Sequence, residues 1–278
     1  MALSKHRRRR IGRTILALIL LAFVGGVAAA KIRDWRRGYE SRRGASVVRL
    51  TVHSDLVGRD LQEILVVPAG GARGRQLLVF LHGRGSPPDS NLRQPLFDAL
   101  ADLGSRAPAV LLADGGDHSY WHDRRDARWG TSVLREAIPA ALARTHADRD
   151  RVAIGGISMG GFGALDLARL APARFCAVGA HSPALWFRGG DTPGGAFDDA
   201  DDFARHDLIR FARARRLYRV PVWIDVGRED PFLNADTALA RALRAHGGRT
   251  RFIVHGGGHE GWSDRMDEYL GFYVGACT

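Results

Sequence analysis

Gly156-Ile157-Ser158-Met159-Gly160 matches the pattern G-x-S-x-G and is the most informative segment of this chain. It follows the apolar run 151–155 and precedes an amphipathic stretch over residues 162–170, so the order is strand, tight turn and helix. A G-x-S-x-G turn in that setting strains the serine backbone and lifts the hydroxyl above the sheet. The glycines let neighbouring backbone pass close to the serine without a Cβ clash. The motif therefore predicts an exposed nucleophilic side chain at Ser158.

Short apolar runs recur on both sides of this motif. They cover residues 77–81, 110–113, 152–154, 175–178, 222–226 and 252–254. Runs of this kind are typical of strands buried on both faces of a mostly parallel sheet. Helical patterns lie between them, over residues 91–103, 132–144, 160–170, 234–245 and 263–274. The alternation predicts the α/β class, with a mostly parallel, doubly wound sheet and helices on both faces.

Two further segments complete the predicted domain, which covers residues 46–278. Residues 47–53 and 61–67 predict an antiparallel strand pair joined through Gly58. Residues 188–207 are rich in Gly and Asp, and we expect them to form one long irregular stretch.

The net charge of +11 belongs to the N-terminal region. Residues 1–43 hold twelve basic and two acidic side chains, a net charge of +10, which leaves about +1 for residues 44–278. Affinity for nucleic acid depends on clustered positive charge on the folded domain. We therefore expect no nucleic-acid partner.

Residues 1–30 resemble a targeting segment, in which a basic stretch precedes 17 apolar residues, 14–30. A cleaved signal peptide is one interpretation, because Ala28-Ala29-Ala30 suits cleavage. A retained transmembrane signal anchor, slightly favoured, is the other, since 17 residues is the lower limit for spanning a bilayer. Residues 31–45 form a basic linker in either case. Both interpretations place the domain outside the cytoplasmic membrane of a bacterium, either secreted or anchored to the membrane.

The chain has two cysteines, Cys176 and Cys277. Outside the cell they could form one disulfide. Because Cys176 lies in the predicted strand 175–178, however, we expect it to be a buried free thiol.

Three residues that follow predicted strands have the chain order nucleophile, acid, base: Ser158, Asp230 and His259. Ligands bind outside the carboxyl ends of the strands in such sheets. A serine hydroxyl needs a base to take its proton, and the base needs a carboxylate to orient it. Glu229, next to Asp230, stays open as the alternative acid.

A developing oxyanion needs preorganised donors. We expect these to be the backbone N–H groups of Met159, directly after Ser158, and of Arg84, in the loop after the strand 77–81.

We expect neither a cofactor nor a metal. The pattern G-x-G-x-x-G occurs over residues 256–261, but it lies at the last predicted strand with no βαβ unit after it. The loop that contains Asp114, Asp117, His118, His122 and Asp123 has no spacing diagnostic of a metal site.

Over about residues 46–275 the chain resembles the esterase D-like group of α/β hydrolases. That group includes S-formylglutathione hydrolases, feruloyl and enterochelin esterases, and mycobacterial mycolyltransferases. The resemblance rests on Leu81-His82-Gly83, on residues 155–161, on residues 175–183, on residues 225–230 and on Gly257-Gly258-His259. It implies the α/β-hydrolase fold and acyl-ester chemistry.

By the same resemblance Ser158 is the nucleophile, Asp230 the acid and His259 the base, with Arg84 and Met159 forming the oxyanion hole. The mycolyltransferases use Glu as the acid, so Glu229 stays open here too.

These observations predict an exported or membrane-anchored serine esterase that acts on a small-molecule, glycan or lipid ester through an acyl-enzyme. Its membrane contact would be the N-terminal segment, if that segment is not cleaved. An acyltransferase that moves the acyl group to a sugar or envelope hydroxyl is the first alternative. An inactive binding module of the cell envelope is the second.

Overall fold

The structure is a computed structural model that describes residues 32–33 and 35–277. The predicted targeting segment, residues 1–30, lies outside the described residues. None of the helices within the described part of the chain has the length and apolar character that a bilayer crossing requires.

Eight strands form one sheet in the order β1-β2-β4-β3-β5-β6-β7-β8. The strands are β1 (Ser46–Ser54), β2 (Arg59–Val67), β3 (Leu77–Leu81), β4 (Ala109–Leu112), β5 (Val152–Ile157), β6 (Ala177–His181), β7 (Val222–Gly227) and β8 (Thr250–His255). β2 pairs antiparallel with both β1 and β4. Every other neighbouring pair is parallel. The mostly parallel sheet is confirmed, as is the antiparallel pair that turns at Gly58, whose φ is +75°.

Helices cover both faces of this sheet. They are α1 (Gln94–Leu103), α2 (Trp129–Ser132), α3 (Ile138–Thr145), α4 (Met159–Leu170), α5 (Ala200–His206), α6 (Leu208–Ala214), α7 (Leu233–Ala245) and α8 (Met266–Ala276), and the π-helical turn Val133–Ala137 joins α2 to α3. Side chains of β3 alternate between two apolar cores, with Leu77 and Val79 in one and Leu78 and Phe80 in the other. The period of two is that of a strand buried on both faces. The two-faced arrangement is therefore confirmed.

The prediction of one irregular stretch over residues 188–207 was wrong, because α5 lies within it and α6 follows directly. Each of these two helices begins at an aspartate whose carboxylate accepts a backbone N–H. Asp199 accepts from the N–H of Asp202, and Asp207 accepts from the N–H of Arg210. Asp is a preferred N-cap residue, so the aspartates that suggested a loop are helix starts.

The prediction of a buried free thiol at Cys176 was also wrong. Cys176 is half-buried, lies just before β6, and forms a disulfide with Cys277. Helix α8 packs Tyr269 and Leu270 into the same core as Phe80, on the second face of the sheet. That packing brings the end of α8 to the start of β6, with 5.2 Å between the two cysteine Cα atoms.

Candidate active site

Ser158 lies in the sharp turn between β5 and α4. Its φ is +54° and its ψ is −114°, a backbone conformation that is strained for a residue with a side chain. Backbone at and after the end of β6 holds the turn: the N–H of Ser158 donates to the His181 carbonyl, and the N–H of Ala184 donates to the Ser158 carbonyl. The strained turn predicted from the G-x-S-x-G pattern is present.

The glycines of the turn allow it to pack against β3. A Cβ on Gly160 would collide with the carbonyl oxygen of Leu81, and a Cβ on Gly156 would lie 2.5 Å from the carbonyl carbon of Gly160. Both contacts would be far closer than ordinary van der Waals contact, so only glycine fits at positions 156 and 160.

Three side chains form a hydrogen-bonded row at the carboxyl end of the sheet. The Oγ of Ser158 lies 2.8 Å from Nε2 of His259. The Nδ1 of His259 lies 2.8 Å from Oδ2 of Asp230. Because a carboxylate only accepts, Nδ1 carries the proton and Nε2 is free to accept from the serine hydroxyl. This tautomer is the one that a general base needs.

Asp230, and not Glu229, contacts the histidine. The side chain of Asp230 is buried, and its second oxygen accepts the Phe232 N–H at 2.8 Å. Glu229 is exposed, and its backbone N–H donates to the Gly257 carbonyl. Burial by itself raises the pKa of Asp230, but the hydrogen bonds from His259 and from the Phe232 N–H hold that pKa below its usual value. The carboxylate is therefore ionised beside the imidazole.

The two residues expected to supply oxyanion donors flank Ser158. Met159 is the first residue of α4, and the first N–H groups of a helix have no acceptor within it. Arg84 lines a cavity of about 670 Å³ together with Ser158, His259 and Trp262. The preceding residue, Gly83, passes so close that a Cβ on it would lie 3.6 Å from the Cβ of Ser158.

His82, which sequence analysis did not single out for a role, anchors this loop. The Gly115 N–H donates to its Nε2 at 3.2 Å, so Nδ1 carries the proton and donates to the Gly83 carbonyl at 2.9 Å. Burial lowers the pKa of His82, which keeps the ring neutral. The Nε1–H of Trp121 in turn donates to the His82 carbonyl. No sequence pattern indicates that His82 joins the loop after β3 to the loop after β4, because its partners are backbone groups.

Two aromatic rings enclose the imidazole of His259. The ring centroid of Phe232 lies 5.2 Å away, and that of Trp262 lies 5.0 Å away. Both contacts are edge-on, the arrangement that aromatic pairs prefer. Phe232 follows the Asp230 loop and Trp262 follows the His259 loop, so the residues that hold the ring come from the loops that supply it.

Comparison with known proteins identifies the family of this chain. Residues 56–261 match the family model described as "Putative esterase". Esterase Rv1288 of Mycobacterium tuberculosis is 31% identical over 114 residues, which are 38% of this chain and 25% of that protein. This chain therefore spans about a quarter of the length of that relative. The diacylglycerol acyltransferase/mycolyltransferase Ag85A of Mycobacterium tuberculosis is 28% identical over 256 residues, which are 86% of this chain and 69% of that protein.

A solved ferulic acid esterase superposes with a TM-score of 0.71 at 20% identity. The superposition covers 84% of this chain and 99% of that one. At this identity the likeness shows the fold, which is the α/β-hydrolase fold expected from the sequence. With the family model matching most of the domain, this chain belongs to the esterase family that the model describes.

Proposed function

We propose that the protein is a serine-dependent carboxylic ester hydrolase that works through an acyl-enzyme, with Ser158 as nucleophile, His259 as base and Asp230 as acid. The observation that carries the proposal is the row of two 2.8 Å hydrogen bonds from Ser158 through His259 to Asp230. The row ends at a serine on a strained turn, which opens into the 670 Å³ cavity.

In the first half-reaction, Ser158 Oγ attacks the ester carbonyl carbon while its proton passes to Nε2 of His259. The N–H groups of Met159 and Arg84 stabilise the oxyanion of the tetrahedral intermediate. His259 then gives the proton to the departing alkoxide oxygen, which leaves as the alcohol. The ionised Asp230 stabilises the transient imidazolium without taking its proton.

In the second half-reaction, water attacks the acyl-enzyme and gives its proton to His259. Collapse of the second tetrahedral intermediate releases the carboxylic acid and returns the proton to Ser158. Besides the ester and water, both half-reactions use only side chains and N–H donors of the chain.

An acyltransferase is the second candidate, favoured by the similarity to Ag85A over 86% of the chain. The first half-reaction is the same in both candidates. They differ in whether water or a sugar hydroxyl takes the acyl group. The cavity carries both cationic and anionic side chains, Arg84, Arg93 and Asp264, which suits a polar acceptor or a polar alcohol group.

The proposal includes export of the domain, as a secreted or membrane-anchored protein. The Cys176–Cys277 disulfide supports it, because structural disulfides persist mainly in oxidising compartments outside the cytoplasm. The basic and apolar order of residues 1–30 supports it as well.

The test is turnover of p-nitrophenyl esters of C2 to C12 acids by the purified chain and by Ser158→Ala. The matched control is Ser263→Ala, which removes another serine hydroxyl from the lining of the same cavity. We expect Ser158→Ala to lose at least about 10³-fold in kcat and the control to keep its activity. Turnover that survives in Ser158→Ala would rule out this mechanism. Added trehalose or glycerol as acceptor separates transfer from hydrolysis by the product formed.

A further inference from the structure

Three metal-ligating side chains meet in the structure away from the Ser158 row: His122, Asp202 and His206. Nε2 of His122 lies 3.1 Å from Oδ2 of Asp202, and Nε2 of His206 lies 3.6 Å from Oδ1 of the same carboxylate. One ligand atom from each residue lies within 4.8 Å of the others. His122 and Asp202 are buried, and His206 is 9% exposed. The group therefore forms a compact, almost dry cluster of two nitrogen donors and one carboxylate.

The far side of His206 is oriented for ligation. Its Nδ1 lies 2.7 Å from Oδ2 of Asp166, a fully buried carboxylate in α4. Arg169 holds the other oxygen of Asp166 at 2.6 and 2.8 Å. A carboxylate that accepts from Nδ1–H leaves Nε2 with a free lone pair and makes the ring a stronger ligand. That lone pair faces Oδ1 of Asp202, which also accepts from Nη2 of Arg205 at 3.2 Å. The facing lone pairs repel each other unless a proton or a cation lies between them.

The ring of His122 is held in place by its neighbours. It stacks on Phe197 with centroids 5.0 Å apart and lies 4.5 Å from the ring of His206. Its Nε2 faces Asp202, and within the described residues its Nδ1 has no hydrogen bond, although the side chain is fully buried. The ring therefore presents Nε2, and not Nδ1, to the carboxylate.

We propose that His122, Asp202 and His206 bind one Zn²⁺ ion through Nε2, a carboxylate oxygen and Nε2, with Asp166 orienting His206 from outside the ligand set. Zn–N and Zn–O bonds of about 2.0–2.2 Å place neighbouring ligand atoms of a tetrahedral site roughly 3.3 Å apart. The two nitrogen–oxygen separations, 3.1 and 3.6 Å, lie on either side of that value, and all three ligand atoms lie within 4.8 Å of one another. Two imidazoles and one carboxylate suit zinc better than Mg²⁺ or Ca²⁺, which prefer oxygen ligands. Sequence analysis predicted no metal, because these ligands come from segments 80 residues apart in the chain.

The ion would link three segments beside the active site. His122 belongs to the loop between β4 and α2, Asp202 and His206 belong to α5, and Asp166 belongs to α4, the helix that begins directly after Ser158. The loop between β4 and α2 also carries Trp121, whose Nε1–H donates to the carbonyl of His82, two residues before Arg84. The site is structural: no ligand atom belongs to the Ser158 row, and the ion takes no part in ester cleavage.

The experiment removes metal from the untagged full-length chain by dialysis against a chelator, removes the chelator, adds excess zinc and desalts. We expect about one equivalent of zinc to remain bound after desalting. We also expect Tm to rise by roughly 5–10 °C at a free zinc concentration about 100-fold above Kd. Equal concentrations of Mg²⁺ and Ca²⁺ should leave Tm unchanged. A wild-type chain that retains no stoichiometric zinc and shows no zinc-dependent Tm shift overturns the proposal.

Variants locate the ion. Asp202→Asn and His206→Ala should weaken zinc binding at least about tenfold, and Asp166→Asn should weaken it about 10–100-fold through the orientation of His206. The matched control is His53→Ala. His53 also lies between two carboxylates, Asp55 and Asp60, but its side chain is 70% exposed. If His53→Ala removes the zinc while Asp202→Asn retains it, the proposed site is wrong. Asp166→Asn keeps the test decisive if His206→Ala does not fold.

Discussion

The carboxylate of Asp230 lies 2.8 Å from Nδ1 of His259, while the neighbouring Glu229 is exposed to solvent. One residue of chain separates an acid that orients the imidazole from one that does not. Asp230 lies within the tight turn after β7, where its own N–H donates to the Gly227 carbonyl and its side chain accepts the Phe232 N–H. The turn therefore directs one carboxylate inward to the histidine.

Asp230→Asn should lower kcat for p-nitrophenyl acetate by about 10⁴-fold, because an amide at this position favours the wrong histidine tautomer. Glu229→Gln should keep kcat within about twofold of wild type, since its carboxyl group is exposed. Steady-state kinetics of the two variants, with circular dichroism to show that both are folded, makes the comparison. A larger loss in Glu229→Gln would assign the acid to Glu229.

Arg84→Ala should keep kcat for neutral esters within about threefold of wild type, because the proposed oxyanion donor is its backbone N–H and not its guanidinium. Loss of one oxyanion donor costs about 10²–10³-fold in kcat, so a drop of that size would show that the side chain performs this role. Comparing KM for a neutral ester and for a carboxylate-bearing ester in the same variant tests whether the guanidinium binds anionic substrates.

Gly160→Ala should lower the free energy of unfolding by about 1–3 kcal/mol or more. Its Cβ would collide with the carbonyl of Leu81 and push β3 and α4 apart. Gly271→Ala is the matched control. Gly271 is exposed within α8 and a Cβ there meets nothing within 4 Å, so alanine should stabilise the helix by about 1 kcal/mol. Urea unfolding of both variants measures the two changes, and equal effects would contradict the close approach of β3 and α4.

Cys277→Ser should lower the free energy of unfolding by about 2–4 kcal/mol and Tm by roughly 5–15 °C. The disulfide closes a loop with a sequence separation of 101, which restricts the unfolded chain. Dithiothreitol should shift wild-type Tm down by a similar amount and leave the variant unchanged. A wild-type Tm that is insensitive to reductant, with full reduction verified by thiol titration, would contradict a stabilising disulfide.

Glu63 should make stability fall as pH rises. Burial raises the pKa of Glu63 to about 8, from 4.5 for the ordinary group. Between these values the folded chain binds more protons than the unfolded chain, so the free energy of unfolding falls by up to about 1.4 kcal/mol per pH unit. Glu63→Gln stays neutral and should flatten the dependence of Tm on pH between about 5 and 8. Glu229→Gln, at an exposed position, should leave the dependence of Tm on pH unchanged. If wild type and Glu63→Gln show the same slope of Tm against pH, Glu63 is ionised in the folded state.

Local patterns predicted most of the sheet and the turn at Ser158. Leu77–Leu81 was predicted with its correct bounds, and residues 110–113 and 222–226 were each within one residue of the observed strands at either end. A strand buried on both faces consists of consecutive apolar residues, so it can be predicted from that segment alone. The helices α5 and α6 were missed because their apolar faces are short and their capping aspartates resemble turn residues.

The strand–turn–helix geometry around Ser158 and the order Ser158, Asp230, His259 could be predicted from the sequence, because both depend on residues within one turn or on the order of strands along the chain. Three contacts appear only in the folded chain: Asp230 and not Glu229 contacts His259, Cys176 joins Cys277, and His122 meets Asp202 and His206. These pairings join distant segments or depend on the direction of one side chain. The disulfide depends on how α8 packs on the sheet, and the His122 cluster on how α5 lies against α4. The Asp230 contact depends on the turn after β7, and no local pattern contains any of these.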